Sequence, residues 1–85
     1  MTTHRIDIAA GDDGKYACTY LGERIGEWRN PESAAAHWLL EAGHAGQDDV
    51  LTSYRGGMPA NSAPIGWLAR HAADARDTHA ASATP

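Results

Sequence analysis

Residues Trp28-Arg29-Asn30-Pro31-Glu32-Ser33-Ala34-Ala35-Ala36-His37-Trp38-Leu39-Leu40 decide the fold, because here short alternating segments give way to one amphipathic helix. Asn30 is placed to cap that helix, its side-chain oxygen accepting from an amide of the first turn. Pro31 suits the first helical position, where a missing N–H is no loss. Glu32 sets negative charge against the positive end of the helix dipole, and Ser33 belongs to the same first turn. Ala35, Trp38, Leu39 and Ala42 share one face at helical spacing and should lie on a sheet. Gly43 supplies a left-handed cap, so the predicted helix spans residues 31–42.

Working back toward the N-terminus, Arg5-Ile6-Asp7-Ile8 alternates polar and apolar, the period of a half-buried strand. Gly11-Asp12-Asp13-Gly14 reads as a turn. Lys15 to Tyr20 is a second strand with Tyr16, Cys18 and Tyr20 on one face. Leu21-Gly22-Glu23 is a tight connection into a third strand, Arg24 to Trp28, and the three form a meander. Working forward, His44 to Asp49 is a polar loop and Val50 to Tyr54 a fourth strand closed by Arg55-Gly56-Gly57. Met58 to Ser62 reads as a loop. Ser62 then caps a second helix over residues 63–73, with Pro64 in its first turn and Ile65, Leu68, Ala69 and Ala72 buried. The predicted class is α+β: a small antiparallel sheet in the order β-β-β-α-β-α with the helices packed on one face. Residues 1–76 form the expected single domain, and 77–85 a disordered tail with nothing to bury.

At 85 residues the chain can build only a thin core, since a domain this small buries about 60–65% of its unfolded surface. Its formal charge of −4, from 11 acids against 7 bases, argues against non-specific nucleic-acid binding, which needs clustered Lys and Arg. The same balance suits an acidic surface that meets a basic partner. The single cysteine, Cys18, excludes an internal disulfide and any multi-cysteine zinc site. No apolar run approaches the roughly 20 residues that span a bilayer, and no apolar signal core opens the chain. The expectation is therefore a cytoplasmic protein without a membrane segment.

Candidate chemistry is sparse. No two histidines stand at the i, i+4 spacing of a helical zinc pair, so neither a metal nor another cofactor is expected. Cys18 lies mid-strand between two tyrosines and reads as a small buried apolar residue. Asp12 and Asp13, Glu23, and Asp48 and Asp49 read as solvated turn acids. Catalytic carboxylates would need a cavity that separates their pKa values, so no catalytic residue is expected. Trp28 and Arg29, at the strand-to-helix corner, and Trp67, beside the second helix's apolar stripe, carry the residue types enriched at binding hot spots. Tyr16, Tyr20 and Tyr54 with nearby arginines also allow a single-strand nucleic-acid reading.

Two resemblances enter here. The strand, Arg-Asn-Pro-Glu, Ala-rich helix and strand ending Thr-Ser-Tyr-Arg-Gly-Gly, over residues 15–57, resemble a class of small phage and prophage proteins. Acidic α+β proteins of this size and kind include many anti-CRISPR proteins, which inhibit by binding Cas subunits. That resemblance implies a non-enzymatic inhibitor that covers the nucleic-acid path of a type I CRISPR complex. Asp12, Asp13, Glu23, Asp48 and Asp49 would engage a basic groove, with Trp28 or Trp67 as apolar anchor. The order of three strands, helix and strand is also similar to the N-terminal unit of HicB-type antitoxins, which implies instead a regulatory module acting as a homodimer. This chain lacks that family's proline-glycine-cysteine segment before the helix.

Overall fold

Strand β1 (Thr3–Ala10) is the spine of the molecule, with β2 (Tyr16–Tyr20) on one side and β4 (Val50–Arg55) on the other. The structure, a computed structural model, describes residues 1–71. Strand β3 (Glu23–Trp28) and strand β5 (Met58–Pro64) close the two edges, giving the order β3-β2-β1-β4-β5. Helix α1 (Pro31–Glu41) and a second helix, α2, over residues 65–71 bury their apolar sides in the same core. The fold is α+β, as the residue pattern indicates. The expected tail at 77–85, the domain boundary at 76 and the end of the second helix lie outside the described residues.

The alternation in β1 works as read: His4, Ile6 and Ile8 face the core while Thr3 and Arg5 are exposed. Ile6, Leu39, Leu51 and Ile65 are fully enclosed, each contributing about 1.5–3 kcal/mol of burial. Cys18 joins them at 0% exposure. The meander closes through Leu21-Gly22, both at positive φ (52° and 81°), the two-residue turn whose twist matches that of the strands.

The sheet is mixed, with β1 and β4 parallel and the other pairs antiparallel. α1 returns the chain to the end where β1 begins, so β4 starts level with β1 (Thr3 opposite Val50) and runs the same way. Residues 58–62, expected as a loop, belong to β5. Gly56 and Gly57, at φ 61° and 79°, make a two-residue hairpin that folds β5 back on β4. The bond from the Ile65 amide to the Asp49 carbonyl (2.8 Å) fixes the ladder's alternation, which turns the nitrogen of Pro64 outward. Pro59, next to the hairpin's closing pair of Arg55 and Met58, faces outward likewise. Both prolines therefore sit where no ladder donor is lost, as an edge strand allows.

Three local expectations need correction. Asn30 is the N-cap residue but its side chain makes no cap bond; at φ −113° and ψ 79° its carbonyl accepts from the Ala34 amide (3.0 Å) instead. Ala42 is exposed, because Gly43 (φ 76°) ends the helix early and Ala36 takes the buried place. The Gly43 and His44 amides close onto Leu40 and Leu39 (3.1 and 2.9 Å), a Schellman ending. Ser62 does not cap α2. The helix starts at residue 65, where the carbonyls of Asp49 and Gln47 take the Ile65 and Gly66 amides.

Trp28 is half-buried against the core, and its indole lies over Gly26 of the same strand. A Cβ added at Gly26 would stand 2.3 Å from that ring. Gly26→Ala should displace the indole and cost about 1–3 kcal/mol. Urea denaturation and a red-shifted tryptophan emission would show it.

Candidate functional site

The first turn of α1 does more than end the strand-to-helix corner. Glu32, 15% exposed, points onto the sheet and gathers donors from two strands. Its Oε2 accepts from Ser53 Oγ (2.9 Å), Asn61 Nδ2 (3.0 Å) and Arg55 (3.2 Å). Its Oε1 accepts a long 3.4 Å contact from Arg55, and the carboxylate also takes its own backbone amide. Ser53, with no exposed surface, also accepts the Asn61 amide at 3.2 Å. Arg55 in turn lies over the Tyr16 ring, 4.8 Å from its centroid. Burial raises the Glu32 pKa, but the bonds from Asn61, Ser53, its own backbone amide and Arg55 together hold the carboxyl below its ordinary 4.5.

Beside this cluster lies an open groove of about 430 Å³ between the two helices. Glu32 and Ser33 form its α1 side, Trp67 and Leu68 its α2 side, and Asn61 to Ala63 of β5 its floor. Trp67 is 53% exposed.

A second polar chain closes the opposite end of the sheet. Asp49 accepts from the Thr2 and Gly46 amides (3.1 and 3.0 Å) and lies 3.0 Å from His4 Nε2. A carboxylate only accepts, so His4 donates from Nε2. Its Nδ1 then accepts from the Tyr20 hydroxyl at 3.0 Å while the ring is neutral. The Gly46 amide, followed by His4 and Thr2, lowers the Asp49 pKa to about 2. Tyr20 and His44 flank Trp38 and complete an aromatic cluster, with His44 stacked on Trp38 at 5.4 Å. Cys18 is fully buried, and burial, with Glu32 nearby, pushes its thiol up to about 12, away from the thiolate that a nucleophile requires. Among the described residues, no three His, Cys, Asp or Glu side chains are grouped to hold a metal ion.

The residues singled out in the sequence are dispersed. Asp12 and Asp13 lie exposed in the β1–β2 turn, near the corner that holds Trp28 and Arg29. Glu23 opens β3 at the other end, as do Asp48 and Asp49 before β4. Asp49 is committed to its three donors, and Trp28 packs half-buried against the core. Trp67 alone of the set lines the groove. Glu32, Ser53, Arg55 and Asn61 had no local signal, because their contacts span 8 to 29 residues.

Compared with protein families, with characterised proteins and with solved structures, the chain has no significant match.

Both carboxylates have lowered folded-state pKa values. Each therefore adds stability at higher pH that is lost as pH falls: below about 4.5 for Glu32, and between 3.8 and about 2 for Asp49. Glu32→Gln and Asp49→Asn should each flatten that part of the acid limb, read from urea midpoints against pH. Ser53→Ala, which removes one donor from Glu32 and the acceptor of the Asn61 amide, should cost about 1–3 kcal/mol at neutral pH in the same assay.

Proposed function

We propose that this chain works by binding and not by catalysis, as an acidic protein that covers a basic surface of a larger nucleic-acid-handling assembly. The observation that carries this reading is the distribution of charge. Each sheet arginine is matched to a carboxylate: Arg5 to Asp7 (2.9 Å), Arg24 to Glu27, and Arg55 to Glu32 (3.2 Å). Asp12, Asp13, Glu23 and Asp48 make no side-chain ion pair among the described residues and are exposed. Lys15 and Arg29, exposed and likewise outside any ion pair among the described residues, offset Asp12 and Asp13. The acids left uncompensated are thus Glu23 and Asp48 at one end of the sheet, where they can steer a basic partner.

The same arrangement weighs against a single-strand nucleic-acid platform. Arg5 covers the Tyr54 ring (4.0 Å), Arg55 covers Tyr16, and Tyr20 is buried. Edge-to-edge homodimers are disfavoured as well. β5 carries outward prolines and a bulge, and β3 carries a bulge and charged residues, devices that blunt strand edges. Exposed Leu21 and Trp67 supply apolar anchors.

The specific target proposed is a type I CRISPR surveillance complex, a choice that rests on the phage-protein resemblance of residues 15–57. Immobilised chain should retain purified type I Cas subunits at low salt and release them near a Debye length of about 8 Å. Lysine substitutions at Glu23 and Asp48 together should weaken retention about 10-fold. No retention at low salt would remove this target, and retention indifferent to salt would remove the charge-based mechanism.

A further inference from the structure

We infer that the groove between α1 and α2 is a receptor site for one basic side chain, an arginine or lysine presented by the partner, held between the Glu32 carboxylate and the Trp67 ring. The inference rests on the reading of the chain as a binder of basic protein, and names the residue chemistry that its groove recognises.

Among the described residues, the groove's lining contains one ionisable side chain and one aromatic, Glu32 and Trp67. A carboxylate and a half-exposed indole lining one groove are groups that select a flat cation, by charge-assisted hydrogen bonds and by attraction to the ring quadrupole. The His71 ring packs edge-on, its centroid 4.2 Å from that of the indole, and leaves Trp67 53% exposed. The carboxylate is prepared for the task. Its Oε2 is saturated by Ser53, Asn61 and Arg55, which fix its position, while Oε1 keeps acceptor capacity beyond the 3.4 Å contact from Arg55. Each carboxylate oxygen offers about two lone-pair sites, so an entering guanidinium has somewhere to donate. Arg55 does not fill the groove, since its guanidinium is drawn toward Tyr16. Ser33 and Asn61 add polar groups at the rim, and Leu68 and Ala63 give an apolar bed for a long alkyl stem. At about 430 Å³ the space falls within the range of about 300–1,000 Å³ typical of small-ligand sites.

A single residue is a small ligand, so the expected affinity is modest, with Kd on the order of 1 mM. The test is titration of the full chain with N-acetyl-arginine methylamide, followed through the Trp67 indole N–H and the Asn61 side-chain amide by NMR. Both signals should shift saturably with the arginine probe and stay put with its neutral citrulline counterpart. Trp67→Ala, an exposed position, should abolish the Asn61 response while leaving the rest of the spectrum folded. Glu32→Gln should weaken binding about 10-fold, and its folded spectrum checks that loss of the staple has not confounded the result. No shift of either signal, equal shifts with citrulline, or shifts confined to Asp12, Asp13 and Asp48 would overturn the site. Cas retention that survives Trp67→Ala would also overturn the groove's role while leaving the acidic-binder reading intact.

Discussion

Much of this structure depends on the cost of burying a carboxylate. Glu32 is mostly enclosed at the point where α1 meets the sheet, and an ionised group there is tolerated only when its charge is matched and its carboxylate is hydrogen-bonded. Ser53, Arg55 and Asn61 do both. Those three residues come from β4 and β5, so one side chain ties the start of the helix to the two strands added after it. The hairpin at Gly56-Gly57 matters for the same reason: without it Asn61 would not stand opposite Ser53.

The pairing habit continues over the rest of the sheet and shapes what the surface can do. The strand arginines Arg5, Arg24 and Arg55 sit beside carboxylates, and Arg5 and Arg55 also cover tyrosine rings, while Lys15 and Arg29 stay exposed at the turns. What remains is acidity in the turns and a few apolar side chains, including Leu21 at 82% and Trp67 at 53% exposure. Leu21 also holds a left-handed backbone conformation that costs a branched residue roughly 1–2 kcal/mol. The groove adds a carboxylate and an indole to that surface.

The sequence was most readable where local rules act alone. The alternation of Ile6 and Ile8, the turn residues at 11–14 and 21–22, Pro31 at the first helical position and Gly43 at its end all depend on near neighbours. β5 was missed because two prolines and small residues give it almost no intrinsic strand preference; it is a strand through pairing with β4, and Gly56-Gly57 was its one visible signal. Asn30 marked the right position for the wrong reason, as its backbone and not its side chain serves the helix. The site was the least legible part. Glu32 looked like a dipole complement, and nothing within a few residues reveals that it reaches Ser53, 21 positions away, or Asn61, 29 away. Trp67 was identified by its residue type and its place beside the second helix's apolar stripe, and its setting in the groove required the fold.

The most direct test is the titration of the Glu32 carboxyl carbon by NMR in the intact chain. Burial and hydrogen bonding pull its pKa in opposite directions, so the sign of the shift reports which one dominates. If Ser53, Asn61 and Arg55 hold the carboxylate as described, the midpoint falls below the ordinary 4.5. A midpoint at or above that value would mean that the staple is not formed and that the groove lacks its charged wall.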